Sequence, residues 1–316
     1  MERQIEEKLM SYKQMKPKSA KKYSGDIKRL HQRIYNKPMT DLQWLTKNRD
    51  KVLKGAKMKT KTEEYNYLTF RNNLNSIIMV LRSLGNDKEA DTYVELRDKF
   101  NDKYTEDNAT GKYLNQKQMD KHLSFKEWDD IIKQLESKQI LSQMEQNFLI
   151  VMKIHREYPL RNDLGDMEII TKAKYDKLSD VTKDERNRFI KNQRDMTLVL
   201  AQYKTEGKYH RKEIKITNVK IKKFLTKFLK DNPDRKFILQ TDTGKPLTNE
   251  GLAVTMNVVS KQFNDGTSFG TTALRKSYMT NRFSKTKREM KKMANVLGHS
   301  VNTGMQIYTK ENKEVV

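Results

Sequence analysis

The 316-residue sequence contains no cysteine, has an excess of basic over acidic residues, and lacks a long apolar run. The absence of cysteine excludes a disulfide framework, a cysteine-ligated zinc site and a thiol nucleophile. The longest strongly apolar run, Phe148 to Met152, is far too short to span a membrane. The charged first residues, MERQIEEKLM, do not have the pattern of a secretory signal peptide. We therefore expect a soluble protein of the cytoplasm or nucleus.

The charge of the chain favours a polyanionic partner. Lysine and arginine number 65 against 41 aspartates and glutamates, which gives a net charge of +24 and a pI near 9.8. The simplest partner for such a chain is nucleic acid, although a solubility device or a ribosome-associated protein has the same composition. The hydrophobic content of 35% is low, but it is enough for two helical domains with solvated basic faces.

The chain divides by pattern into an arm, a helical bundle, a linker and a second domain. We expect a flexible basic arm at 1–18, four helices at 19–104, a polar linker at 105–123 and the second domain at 124–316. The clearest helix follows a capping-box candidate at Thr60 and Glu63, is stopped by Gly85, and has one broad apolar face made of Tyr67, Phe70, Leu74, Ile77, Ile78, Leu81 and Leu84. At roughly 3.3 Å per extended residue, the linker is long enough to pass around a bound duplex.

The second domain mixes helices with short strands. Ser124 and Glu127 are spaced as a capping box for its first helix. Residues 197–205 are predicted as a strand, Glu206-Gly207 as a turn and residues 210–216 as the returning strand. A basic amphipathic helix follows over 219–230. These patterns predict a mainly α fold with a small antiparallel β-sheet.

The last part of the chain places chemically useful side chains at defined spacings. Thr286 and Glu289 predict the start of a helix whose buried face would contain Met290, Met293, Ala294 and Leu297. Gly298 stands where a left-handed residue would end that helix, so that His299 is presented at a fixed place. Tyr308 follows nine residues later. A cation, an imidazole and a phenol in a basic chain indicate chemistry on a phosphodiester.

Three short segments carry a specific resemblance. The segments Ala-Leu-Arg-Lys-Ser, Val-Leu-Gly-His-Ser and Gln-Ile-Tyr-Thr resemble the C-terminal signature of the tyrosine recombinase (phage integrase) family. The pattern of that family is His-x-Leu-Arg, then Leu-Gly-His, then a tyrosine nine residues after the histidine. The sequence departs from it at Thr272, which stands where the family has the first histidine. The resemblance covers roughly 125–316 and implies a helical core-binding (DNA-clamp) bundle followed by an α+β catalytic domain.

The resemblance implies a metal-free and cofactor-free site for cleaving and rejoining DNA strands. The nucleophile would be Tyr308, which forms a 3′-phosphotyrosine. The other residues that the resemblance assigns are Arg161 and Arg275 on the phosphate, Lys204 as the general acid with Lys208 as its alternative, and His299 and Thr272 as hydrogen-bonding groups. The family often has an acid three residues after the first arginine; this position is Leu164 here, and Asp163 lies one residue earlier.

The implied partner is double-stranded DNA, with a homo-tetramer on two synapsed sites. The implied function is a site-specific recombinase or integrase, and the Lys- and Asn-rich composition suggests a virus or mobile element as its home. Two alternatives stay open. One is a type IB-like topoisomerase, which would relax supercoils without site dependence. The other is a catalytically impaired, recombinase-like DNA-binding protein, of which Thr272 would be the symptom.

Overall fold

The computed structural model describes residues 1–57, 67–110, 120–192, 195–298 and 300–301. The chain divides into two compact units, Met1–Asn115 and Gln116–Val316. Each unit has its own apolar core. Among the residues described, no helix combines the length and the apolar character needed to cross a membrane.

The first unit is a bundle of helices. They are α1 (Glu2–Ser11), α2 (Pro17–Tyr35), α3 (Trp44–Lys47), α4 (Arg49–Lys57), α5 (Tyr67–Ser83) and α6 (Asp87–Thr110). Helix α5 is central: its fully buried Leu74 and Ile77 pack in one core with Ile27 of α2. Gly85 has a φ of +77°, which confirms the predicted left-handed stop after α5.

The prediction of a flexible arm at 1–18 is wrong. Residues 2–11 form α1, which buries Ile5 and Leu9 at 3% and 0% exposure. Ser24 of α2 donates a hydrogen bond to the Glu6 carboxylate at 2.8 Å, which holds α1 against α2. The two apolar residues are four apart and lie on one face of the helix, so that a single helical turn is enough to dock a very polar segment.

Helix α6 continues to Thr110, into the segment that the sequence predicts as the start of the 105–123 linker. Residues 101–110 contain no glycine and no proline, so that each residue adds a backbone hydrogen bond to an already formed helix. The rest of the predicted linker up to residue 119, and the predicted capping box of Thr60 and Glu63, lie outside the described residues.

The second unit packs helices around a small sheet. Its helices are α7 (Phe125–Glu136), α8 (Gln143–His155), α9 (Lys172–Asp176), α10 (Asp180–Asp184), α11 (Glu206–Tyr209), α12 (Val219–Asp231), α13 (Asn249–Ser260) and α14 (Thr271–Val296). The predicted capping box at the start of α7 is confirmed: Ser124 Oγ accepts from the Glu127 amide at 3.2 Å, and the Glu127 carboxylate accepts from the Ser124 amide at 2.7 Å. Trp128 is fully buried and donates to the carbonyl of Met152 at 3.1 Å, which fixes α7 on α8.

The sheet has four strands in the order β1 (Glu168–Thr171), β2 (Arg188–Lys191), β3 (Met196–Leu200) and β4 (Lys212–Lys215). The pairs β2–β3 and β3–β4 are antiparallel, but β1 and β2 are parallel. The mainly α fold with a small sheet is confirmed, and the sheet is mixed instead of wholly antiparallel. The reason is the connection from β1 to β2 through α9 and α10, since a crossover of this kind allows two neighbouring strands to run in the same direction.

Helix α14 runs without a break from Thr271 to Val296. The predicted helix start at Thr286 and Glu289 is therefore wrong, because both residues lie inside a longer helix. No glycine or proline occurs between 271 and 296, so that nothing in this segment ends the helix.

The predicted buried face at the end of α14 is also largely wrong. Ala294 is buried, but Met293 and Leu297 are 59% and 58% exposed. The apolar spacing is that of an amphipathic helix, yet within the described residues α14 packs mainly through its first half, against α7 and α8. Gly298 has a φ of +70°, which confirms the predicted stop of this helix.

Candidate active site

Arg161 lies on a short loop that the core holds in place after α8. Pro159 prevents the helix from continuing. The fully buried Leu164 anchors the following 3₁₀ turn, Asn162–Leu164, and Arg161 precedes this turn in an extended conformation. Leu164 occupies the position where the family pattern often has an acid, and its burial leaves Asp163 as the acid of the turn.

His155 supports this loop from below. It is fully buried, with Nδ1 3.0 Å from the carbonyl oxygen of Val151 and Nε2 2.8 Å from that of Leu160. Burial is the main cause that lowers the pKa of His155 to about 4; the charge of Arg275 adds to it, and the neighbouring carbonyls oppose it. The ring is therefore neutral at pH 7, and it joins the last turn of α8 to the residue before Arg161.

Arg275 reaches the same loop from α14. Its Nε donates a hydrogen bond to the carbonyl oxygen of Pro159 at 3.1 Å. Burial, and then the charge of Arg161, lower the pKa of Arg275, while Asp163 raises it. Among the described residues, neither the Nη groups of Arg275 nor the guanidinium of Arg161 has a hydrogen-bond acceptor. Two neighbouring guanidinium groups with unused donors form a site for an anion with several oxygens.

Asp163 is the acidic member of this cluster. It is half-buried, and burial raises its pKa above the ordinary value for aspartate. The charge of Arg161, a backbone hydrogen bond from Arg161 and the charge of Arg275 oppose that rise. One carboxyl group therefore faces two guanidinium groups, and the cluster of Arg161, Asp163 and Arg275 keeps an excess of positive charge.

Asn162 links the loop to two further helices. Thr271, the first residue of α14, donates from Oγ1 to Asn162 Oδ1 at 2.5 Å, and Asn162 Nδ2 donates to the carbonyl of Asn249 at 3.2 Å. The sequence analysis missed both Asn162 and Thr271, although they are direct neighbours of the predicted residues Arg161 and Thr272. Their adjacency was the available signal.

Thr272 lies exposed in the first turn of α14. It is three residues before Arg275, which puts the two side chains on the same face of the helix. The residue that caps this helix is Gly270, whose lack of a side chain leaves the first turn without a side-chain cap. The structure therefore places Thr272 beside Arg275 along α14, with its hydroxyl open to solvent.

Lys204 lies in a tight turn and not on a regular hairpin. The strand predicted over 197–205 ends at Leu200, and α11 stands between β3 and β4 where a simple turn was predicted. The turn is held by Tyr203, whose amide donates to the Glu206 carboxylate at 2.9 Å and whose hydroxyl donates to the carbonyl of His210 at 2.7 Å. Lys204 is exposed, and so is Lys208 on α11, whose Nζ lies 5.2 Å from the ring centre of Tyr209.

Two of the predicted site residues, His299 and Tyr308, lie outside the described residues. The structure thus brings Arg161 and Arg275 together, with Thr272 one helical turn from Arg275. In the parts of the chain that are described, no group of three or more histidines and acids is arranged to hold a metal ion.

The fold has known counterparts, although the sequence has none. No protein-family model and no curated protein matches the sequence. A structure of XerH site-specific recombinase bound to difH substrate, a pre-cleavage complex, matches with a TM-score of 0.51 at 14% identity over 99% of this chain and 82% of that chain. The post-cleavage complex of XerH with palindromic difH substrate matches with a TM-score of 0.50 at 13% identity and the same coverage. XerA recombinase matches with a TM-score of 0.36 at 11% identity over 99% and 95% of the two chains.

The similarity to the XerH structures extends over nearly the whole chain. The protein therefore has the tyrosine recombinase fold.

Proposed function

We propose that this protein is a site-specific DNA recombinase that cleaves and rejoins strands through a 3′-phosphotyrosine intermediate. The observation that carries the proposal is the pair Arg161 and Arg275. The two arginines are distant in sequence, and they meet at one loop with guanidinium donors that have no acceptor among the described residues. They do so in a chain with the tyrosine recombinase fold.

In the proposed reaction, the two arginines bind the nonbridging oxygens of one DNA phosphate. The phenol oxygen of Tyr308 forms a bond to phosphorus and loses its proton, while the bond from phosphorus to the 5′-oxygen breaks. Lys204 gives a proton to that oxygen, which leaves as a 5′-hydroxyl. Because one phosphate ester replaces another, no external energy source is required.

The remaining groups support the developing charge. His299 and Thr272 donate hydrogen bonds to the phosphate oxygens, where negative charge increases in the transition state. Attack by a 5′-hydroxyl from another strand reverses the step and releases Tyr308. Exchange between two DNA sites requires four such reactions, for which a homo-tetramer on paired duplexes is the proposed assembly.

The test is covalent trapping without metal. Wild-type protein is incubated, in EDTA, with pooled nicked duplexes from which the 5′-hydroxyl fragment diffuses away after cleavage. We expect a protein–DNA adduct with the wild type and none with Tyr308→Phe. Tight DNA binding without an adduct would contradict the proposal and favour the DNA-binding alternative, whereas site-independent relaxation of supercoiled DNA would favour the topoisomerase.

A matched pair of arginine variants tests the observation itself. Arg156 is paired with Asp129 at 2.9 Å and lies over the ring of Phe125 at 3.6 Å, so that its guanidinium is already engaged. Arg161→Ala should abolish the adduct, and it should lower the salt dependence of DNA binding by about one released ion. Arg156→Ala should leave both quantities near the wild-type values.

A further inference from the structure

Asn187 joins the loop of Arg161 to the segment that leads to Lys204. It is buried, at 1% exposure, immediately before β2. Its Nδ2 donates to the carbonyl oxygens of Asp163 at 3.1 Å and Gln202 at 3.0 Å. Its Oδ1 accepts from the amides of Ala201 at 2.9 Å and Gln202 at 2.8 Å. Both donors and both lone pairs of the side-chain amide are therefore used.

The pattern of donors and acceptors specifies asparagine at this position. Two carbonyl groups face one end of the side chain and two N–H groups face the other, so that only one orientation of the amide satisfies all four. Aspartate keeps the acceptors and loses the donors. An apolar side chain of the same size would leave four backbone groups in the interior without partners, which is costly.

The Lys204 turn depends on this side chain more than the Arg161 loop does. Strand β3 ends at Leu200, and Asn187 takes the place of a ladder partner for residues 201 and 202. The Arg161 loop has several other supports, namely His155 on Leu160, Arg275 on Pro159, and Thr271 on Asn162. Loss of the Asn187 amide should therefore displace the turn while the arginine loop keeps most of its contacts.

We infer that Asn187 is the positioning residue that holds the Lys204 turn at a fixed place relative to the Arg161 loop. The inference rests on the proposed function, in which Lys204 protonates the leaving 5′-oxygen. A positioned general acid contributes about 10²- to 10⁴-fold to a rate, and it contributes only within hydrogen-bond reach of the atom that takes the proton. Asn187 itself touches neither DNA nor the reacting atoms.

Replacing the leaving oxygen by sulfur isolates this contribution. A thiol has a pKa near 8.5, so that a thiolate leaves without the proton that an alkoxide needs. The measured quantity is the ratio of the cleavage rates on sulfur-substituted and normal DNA of the sequence recovered from the wild-type adduct. A variant that is only partly folded loses both rates equally, and the ratio does not change.

Asn147 provides the matched control for Asn187→Ala. It is also buried at 1% exposure and bonds backbone and side-chain groups: its Nδ2 donates to the carbonyl of Gln240 at 2.8 Å, and its Oδ1 accepts from Arg235 at 2.9 Å. These partners belong to neither the Arg161 loop nor the Lys204 turn. We expect Asn187→Ala to cleave normal DNA about 10²-fold more slowly and to recover on sulfur-substituted DNA. We expect Asn147→Ala to keep the wild-type ratio.

A second variant covers the case in which Asn187→Ala does not fold. Asn187→Asp keeps the acceptor for the amides of Ala201 and Gln202, and we expect a smaller rise of the ratio in the same direction. A wild-type ratio in the folded Asn187 variants would overturn the inference and leave the proposed function in place. Absence of cleavage by the wild type on both DNAs would instead contradict the proposed function.

Discussion

The Nε atom of Arg275 donates a hydrogen bond to the carbonyl oxygen of Pro159, at 3.1 Å and across 116 positions of the chain. Pro159 belongs to the loop that carries Arg161. One arginine therefore holds the loop on which the other is mounted, and a single bond relates the positions of the two guanidinium groups. This arrangement favours a shared anion over two separate surface charges.

Arg275→Lys tests whether guanidinium geometry matters beyond charge. Lysine keeps the positive charge, but it has neither the planar fork nor the Nε donor that reaches Pro159. We expect the rate of adduct formation to fall by about 10²- to 10³-fold, as for the loss of a donor to a transition-state oxygen. The control is Arg282→Lys, an exposed position on the same helix, which should keep the wild-type rate. Equal rates for the two variants would contradict the assigned role of Arg275.

Lys204 and Lys208 are separated by their response to the leaving group. Lys204→Ala should slow cleavage of normal DNA by about 10²-fold or more and should recover on DNA with a sulfur leaving atom. Lys208→Ala should stay within about threefold of the wild type on both DNAs, since we assign it a surface role on α11. The measurement is single-turnover cleavage on the two substrates. If the recovery occurs with Lys208→Ala, the general acid is Lys208.

Thr272→His tests the departure from the family pattern. Thr272 is exposed in the first turn of α14, so that a longer side chain fits without displacing the core. A charged donor forms a stronger hydrogen bond than a neutral hydroxyl, and a gain of about 1.4 kcal/mol corresponds to a rate increase of about tenfold.

The neighbouring position gives the control for this substitution. Thr271 is buried and bonds Asn162, so that Thr271→His should reduce the cleavage rate and lower stability. A Thr272→His protein that cleaves no faster than the wild type would show that the missing histidine does not limit the reaction.

His155 makes the stability of the second unit depend on pH. Its folded-state pKa is about 4, below the ordinary 6.5 of histidine, so that the unfolded chain binds more protons between those values. The stabilisation is complete above pH 6.5 and decreases as the pH falls towards 4. Between about pH 7.5 and about pH 5 we expect the free energy of unfolding to fall by about 2 kcal/mol from this group.

The two tryptophans make this measurement possible in the full chain. Trp44 lies in the first unit and Trp128 in the second. In a Trp44→Phe background, urea unfolding followed by the fluorescence of Trp128 reports the second unit alone. The same measurement on His155→Gln should show a weaker dependence on pH in this range. An identical dependence with and without His155 would contradict the assigned burial of a neutral ring.

The comparison of sequence and structure shows which signals are local. The glycine stop at 298 and the capping box of Ser124 and Glu127 depend on a few neighbouring residues, and both were predicted. The start of α14 was placed at Thr286 because a capping pattern was present, but a helix that is already formed continues through such a pattern. Asn187 was missed because its partners at 163, 201 and 202 are determined by tertiary structure, which spacing along the chain does not reveal.

The most direct test of the account is the identity of the residue that carries the DNA. The trapped wild-type adduct is digested with nuclease and trypsin, and the nucleotide-bearing peptide is sequenced by mass spectrometry. We predict a nucleotide joined through its 3′-phosphate to Tyr308, in the tryptic peptide 293–310. A nucleotide on any other residue, or a linkage through the 5′-phosphate, would contradict the central claim.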